Sequence, residues 1–191
     1  MFELWLEKIA RELDSRGLPY MVIGGQAVLV HGEPRLTRDI DVTLGVGLDR
    51  LEVVVAAARF LGLELLVDPQ EFTPQTLVLP CRDTPSGVRV DFILSHSVYE
   101  RQAIERAKAV ALGGYPVKFA TAEDLVVHKV LAGRPRDLED ARLVLLKNPG
   151  ADREYVRGWL SQFEGVVDEP LIERFEGFLP DVSPSRRGSS D

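Results

Sequence analysis

The segment Asp39-Ile40-Asp41-Val42-Thr43-Leu44 alternates polar and apolar residues with a period of two. An extended strand places residues i and i+2 on one side of a sheet, so Ile40, Val42 and Leu44 face a core while Asp39, Asp41 and Thr43 face away from it. The two carboxylates then project together, ~6 to 7 Å apart along the strand. A chain that commits to this strand needs a sheet to carry it and helices to cover its apolar side.

The surrounding pattern supplies both. Leu4, Trp5, Ile9 and Leu13 recur at helical spacing over 2–16, with Gly17 and Pro19 as the stop. Tyr20-Met21-Val22-Ile23 reads as a short strand running into Gly24-Gly25, after which Gln26 to His31 forms a short helix closed by Gly32. Beyond the Asp39 strand, a helix over 48–61 is expected, then strands at 63–67, 75–79 and 88–94, the last containing Asp91. A charged helix over 98–108 and a hairpin of 109–112 with 117–120 across Gly113-Gly114-Tyr115-Pro116 follow. From Thr121, a helix N-cap with Glu123 and Asp124 in its first turn, the pattern is helical, with further helices at 138–146, 153–163 and 170–178.

The expected fold is therefore α/β (α+β), a mixed twisted sheet flanked by helices with a C-terminal helical cluster. Residues 1–120 form the α/β domain and 121–179 a helical region packed on it, with a ligand cleft between them. Residues 180–191, with Pro180, Pro184, several serines and Arg186-Arg187, read as a disordered tail.

Composition narrows the function. A chain of 191 residues with 45% hydrophobic content can bury a real core. The net charge of -7 argues against a general phosphate-binding surface for nucleic acid. An RNA partner would need a local groove of scattered arginines such as Arg35, Arg101 and Arg106, so RNA is not the preferred partner. Cys81 is the single cysteine, which excludes an intramolecular disulfide and a cysteine zinc cage; it reads as a small apolar strand residue. No apolar run reaches the ~18 residues of a membrane span, and the N-terminus lacks the order of a signal peptide, so a cytoplasmic protein with no membrane partner is expected.

Two carboxylates held as close as Asp39 and Asp41 repel unless a cation sits between them. Hard divalent ions that take one or two carboxylates alongside substrate phosphates fit, with Mg²⁺ the usual occupant and Mn²⁺ an alternative. Asp91, flanked by Val90 and Phe92 on a later strand, would complete a two-metal site. Gly24-Gly25 supplies a second half, because glycine lets backbone approach a phosphate and the next helix offers unpaired N–H donors. Each piece alone is common; a solvated edge strand or an ordinary strand-to-helix turn would produce it too. Their order and separation together are more specific.

In that order the chain resembles the polymerase β nucleotidyltransferase superfamily, on Gly24-Gly25, Asp39-Ile40-Asp41 and Asp91. Within it, Ile23-Gly24-Gly25-Gln26-Ala27, His31-Gly32, Arg35 to Asp41, Lys129 and Arg134 to Asp140 are similar to segments of the small bacterial AbiEii-like group. The resemblance implies attack of an acceptor hydroxyl on the α-phosphate of an NTP. Asp39, Asp41 and Asp91 would ligate metal, and Asp91 would also be positioned to take the acceptor's proton. The nucleotide would lie against Gly24, Gly25, Gln26, Arg38, Lys129 and Arg136, with Asp137 orienting Lys129 or acting as a base. Gln26 stands where many members carry serine. The acceptor is open between an RNA end, a protein and a small molecule. A toxin of a toxin-antitoxin pair, with an antitoxin protein as partner, is one implied role. A nucleotide-binding or regulatory protein without turnover is the alternative. From chemistry alone, 134–140 is an Asp-capped helix start, His31 a helix cap, and His96 and His128 structural or surface residues.

Overall fold

The computed structural model describes residues 2–33 and 36–177. Among these, seven strands form one sheet in the order β3-β4-β5-β2-β1-β7-β6. Helix α1 (Phe2–Ser15) buries Trp5, Ile9 and Leu13 of the expected stripe, whereas Leu4 is exposed and Leu6 is buried in its place. Strand β1 (Tyr20–Ile23) is buried throughout and passes directly into α2 (Gly24–His31). Strand β2 (Asp39–Leu44) follows with Ile40, Val42 and Leu44 fully buried, as the period-two pattern requires.

Strand β1 pairs antiparallel with β2, with Ile23 opposite Asp41. Strand β5 (Arg89–Leu94) pairs parallel with β2, setting Arg89 beside Asp39 and Asp91 beside Asp41. A 3-10 turn at Leu48–Arg50 leads into α3 (Leu51–Phe60), and β3 is only Glu64–Leu65.

The strand expected at 75–79 is displaced. Pro69–Thr76 is a helix, α4, capped by Asp68, whose carboxylate accepts from the backbone N–H of Gln70 and Glu71. Proline at the first helical position and an aspartate before it are a helix-start signal that the apolar pattern concealed. The helix ends in left-handed Leu77, and β4 occupies Val78–Arg82 instead, holding Cys81 fully buried.

Helix α5 (Val98–Arg106) is followed by β6 (Lys108–Leu112) and β7 (Tyr115–Phe119), the expected hairpin, with β7 parallel to β1. Helices α6 (Ala122–Ala132), α7 (Pro135–Lys147), α8 (Arg153–Val167) and α9 (Leu171–Glu176) complete the described chain. Helix α7 starts three residues before the expected 138, because Pro135 suits the first helical turn. One hydrophobic cluster runs from Leu6 and Ile9 through Ile40 and Phe92 to Val126, Leu160 and Phe175, so the late helices share the sheet's core. The expected tail, 180–191, lies outside the described residues.

Thr121 caps α6 as expected, accepting from the backbone N–H of Asp124 at 3.2 Å. Asp124, in the first turn of α6 as expected, is completely buried. Its carboxylate accepts from Thr121 Oγ1 (2.6 Å), Tyr155 Oη (2.6 Å) and Arg106 Nε (3.3 Å), tying α5, α6 and α8 together. Spent on Asp124 and Glu123, Arg106 is drawn into the packing between α5 and α6.

Candidate active site

The end of β1, the start of β2 and the start of β5 open onto a cleft of about 780 Å³. Gly24 and Gly25, Arg38, Asp39, Asp41, Arg89 and Asp91 line it from the sheet side; Leu125, His128, Lys129, Ala132, Arg134, Arg136 and Asp137 line it from α6 and α7. Of the residues anticipated for the site, Gln26 alone is not part of this lining. Its side chain is buried and donates weakly, at 3.4 Å, to the backbone oxygen of Asp39. That contact ties α2 to β2 instead of presenting an amide to the cleft.

Gly24 is required twice over. Its φ of +61° lies in the left-handed region, and a Cβ built there would sit 1.9 Å from Asp41 Oδ2. The turn therefore lays backbone directly against a carboxylate. Ile23 provides no side-chain cap to α2, so no side chain at the cap accepts from the first N–H groups of this helix.

Asp39 and Asp41 share one face of β2, and Asp91 stands across from Asp41 on β5. Asp41 has no hydrogen bond or ion pair among the described residues. Burial, then the charges of Asp91 and Asp39, push its carboxyl up to about 6, with Lys129 and Arg89 pulling the other way. Cations nearby thus do not cancel the crowding of negative charge.

Arg89, two residues before Asp91 on the same strand, was not anticipated. Its Nε donates to Asp91 Oδ1 at 2.9 Å, and that bond, helped by the charges of Asp39 and Asp41, raises the guanidinium's pKa. A two-residue period applied to β5 as it was to β2 would have found it. Among the described residues, no three carboxylate, imidazole or thiol side chains are gathered closely enough to hold a metal ion as they stand. The donor chemistry nevertheless suits a hard cation: three carboxylates from adjacent strands, an excess of negative charge at Asp41, and one oxygen of Asp91 held by an exchangeable guanidinium.

On the helical side Lys129 is buried, its ammonium held 2.6 Å from Asp137 Oδ1 and 3.0 Å from Asp140 Oδ2. Asp137 is thus paired with Lys129. Asp140, three residues further along α7, is the partner that helical spacing would have revealed. Arg134 reaches Asp137 more distantly, at 3.6 Å, and Arg136 donates to the backbone oxygen of Leu36 at 3.3 Å, bridging α7 to the approach of β2. Arg38 is exposed at the rim and makes no ion pair among the described residues.

The three histidines differ. His31 Nε2 lies 2.7 Å from the backbone oxygen of Ala120, a contact to the strand-helix junction and not to its own helix end. Burial lowers its pKa. His96 lies against Arg101, whose guanidinium donates to the His96 backbone oxygen at 3.2 Å. His128 lines the cleft. Of the three arginines considered for an RNA groove, Arg35 falls outside the described residues, Arg101 is drawn to His96 and Arg106 to Asp124. Burial pushes the Cys81 thiol up to about 12, in keeping with an inert core residue.

No protein-family model matches the sequence, and no curated protein matches it. Solved structures do resemble it in fold. ANT(2")-Ia in complex with adenylyl-2"-tobramycin superposes with a TM-score of 0.59 at 19% identity, over 85% of this chain and 97% of that one. An antigenic nucleotidyltransferase-like protein from Paracoccidioides brasiliensis gives 0.55 at 18% identity, over 91% of each chain. The lincomycin-bound lincosamide antibiotic adenylyltransferase LnuA gives 0.53 at 14% identity, over 74% of this chain and 94% of that one. The mixed sheet with its flanking helices is thus a nucleotidyltransferase fold.

Proposed function

We propose that the cleft transfers a nucleotidyl group from an NTP to a hydroxyl of a small-molecule acceptor. The observation that carries this reading is the meeting of Asp39, Asp41 and Asp91 on adjacent strands, with the Gly24 backbone laid against Asp41. A triphosphate at Gly24-Gly25 would meet the open N–H groups of α2, with Arg38 and Arg136 at the rim supplying positive charge. Asp39, Asp41 and Asp91 would hold a divalent cation, Mg²⁺ or Mn²⁺, which neutralises charge on the phosphate oxygens.

In the transfer the acceptor oxygen bonds to the α-phosphorus, the bond from that phosphorus to the pyrophosphate oxygen breaks, and the acceptor proton passes to a carboxylate. Asp91, whose Oδ1 accepts from Arg89, would take that proton on its other oxygen. Lys129, fixed by Asp137 and Asp140, places a positive charge close enough to act on Asp41 and thereby orders the wall facing the reaction.

The small-molecule acceptor draws support from the antibiotic-modifying proteins of like fold. The segments 23–27 and 134–140 favour the AbiEii-like group, which would bring a toxin role; growth arrest on expression that depends on Asp41 tests it. The Arg89 contact on Asp91 favours, as a second reading, a protein that binds nucleotide without turnover. Incubation with labelled NTPs, Mg²⁺ and a small-molecule extract decides between them. Labelled product that disappears in Asp41→Asn supports transfer; nucleotide binding with no product from any extract supports the second reading.

A further inference from the structure

The strand pairings lay out the cleft side of the sheet in rows. Asp39 on β2 stands beside Arg89 on β5, Arg89 opposite Arg82 on β4, and Arg82 opposite Glu64 on β3. Paired residues of neighbouring strands share a face, so these four side chains form one row at the mouth of the cleft. The next row, two residues further along β2 and β5, holds Asp41 and Asp91. The Gly24 turn flanks the carboxylates on the β1 side, and the two arginines flank them on the β4 side.

Like charges set directly opposite each other on adjacent strands repel, with Cβ atoms about 5 Å apart. The acids around this pair are engaged elsewhere. Arg82 is exposed and makes no ion pair or side-chain hydrogen bond among the described residues. Glu64, its neighbour in the row, accepts from the Thr84 hydroxyl at 3.1 Å. Asp83 accepts from the backbone N–H of Ser86 at 3.1 Å and from the Ser86 hydroxyl. Arg89 gives its Nε to Asp91 at 2.9 Å, and its two terminal nitrogens donate to nothing among the described residues. Two guanidiniums thus present unclaimed N–H donors side by side, next to the three carboxylates.

Paired guanidinium donors match the oxygens of a phosphate or a carboxylate. Under the proposed function the triphosphate is met by Gly24-Gly25, Arg38 and Arg136, on the side of β1 and α7. The β4 side is left to the acceptor, whose hydroxyl must reach Asp91. We propose that the acceptor carries an oxyanion, a phosphate or a carboxylate, which Arg82 and Arg89 hold while the acceptor hydroxyl faces Asp91. This inference rests on the reading of the cleft as a transferase site. Residues two apart on a strand lie ~6 to 7 Å apart, so oxyanion and hydroxyl belong to one molecule of the size of a hydroxy acid or a sugar phosphate. Arg89 serves Asp91 and the oxyanion at once, through different nitrogens.

A small-molecule extract passed over an anion exchanger at neutral pH tests this, with label transferred from NTP in the presence of Mg²⁺ as the readout. Acceptor activity should be retained and elute with salt. Its loss after treatment with a phosphatase, removed before the assay, identifies a phosphate; its survival identifies a carboxylate. With the retained fraction, Arg82→Gln should melt with the wild type and need about tenfold more acceptor for half-maximal rate, while its KM for NTP stays at the wild-type value. Arg82→Lys, which keeps the charge and loses the paired donors, should fall between the two. Acceptor activity that passes through the exchanger, or an acceptor KM unchanged in Arg82→Gln, overturns the inference while leaving transfer intact. No labelled product from any extract with the wild type overturns the transferase reading itself, and the inference with it.

Discussion

Asp41 and Asp124 are both aspartates withdrawn from solvent, and their surroundings are opposite. Asp124 is completely buried and answered by a hydroxyl, a phenol and a guanidinium from three elements. Asp41 is less buried, has no hydrogen bond or ion pair among the described residues, and faces two further carboxylates across and along the sheet. Compensated charge holds helices together; uncompensated charge is stored where a ligand can use it. The same residue type thus marks architecture in one place and, under the proposed function, chemistry in the other.

The contrast breaks most sharply at Asp124. Asp124→Ala leaves Arg106 and Tyr155 facing each other without their acceptor, and unfolding free energy should fall by about 3–5 kcal/mol by denaturant titration. Transfer per folded molecule should be retained. If stability barely moves, the network is not the clamp described.

Next is Gly24→Ala, which collides with Asp41 and strains a left-handed residue; a stability loss of about 1–3 kcal/mol is expected from the backbone alone. Asp41→Asn relieves the collision partner's charge without removing its bulk, so the double variant should be no more stable than Gly24→Ala beyond the gain from Asn itself.

Arg89→Gln sharpens the comparison from the cation side. Its partner is partly exposed, so stability should change by less than about 1 kcal/mol. Mn²⁺, followed by its paramagnetic resonance without nucleotide, should bind several-fold more tightly once Asp91 is released. Unchanged Mn²⁺ affinity would show that the guanidinium does not compete for that oxygen.

The smallest effect is in pH. The folded-state value of Asp41, about 6, lies above its ordinary carboxylate value of 3.8, so the fold binds this proton more tightly than the unfolded chain does. Its burial and the neighbouring carboxylates therefore cost stability above about pH 6, and the cost is relieved as pH falls from there toward 3.8. A cation reverses the preference, so the rise in melting temperature caused by Mg²⁺ should be larger at pH 8 than at pH 5. A shift independent of pH would place the ion elsewhere.

How much of this the sequence revealed follows from range. The β2 strand, the α1 stripe except for Leu4, and the Thr121 cap are local patterns that stand where spacing put them. The meeting of Asp41 with Asp91 depends on β2 and β5 pairing across 50 residues of separation, which only the order of motifs hinted at. The strand misplaced at 75–79 shows an apolar pattern overriding a cap signal at Asp68-Pro69. The burial of Asp124 was illegible, because an acid in the first turn of a helix satisfies the helix dipole whether or not a tyrosine 31 residues later covers it.

The most direct test melts the wild type and Asp41→Asn, each alone and with Mg²⁺ and NTP. Asparagine removes the uncompensated charge and keeps the shape, so the variant alone should melt at or above the wild type at pH 7.5. Ligand should raise the wild-type midpoint by several degrees and leave the variant's nearly unchanged. A variant that melts lower than the wild type, or gains as much from ligand, would contradict the claim that Asp41 holds the charge on which the cleft acts.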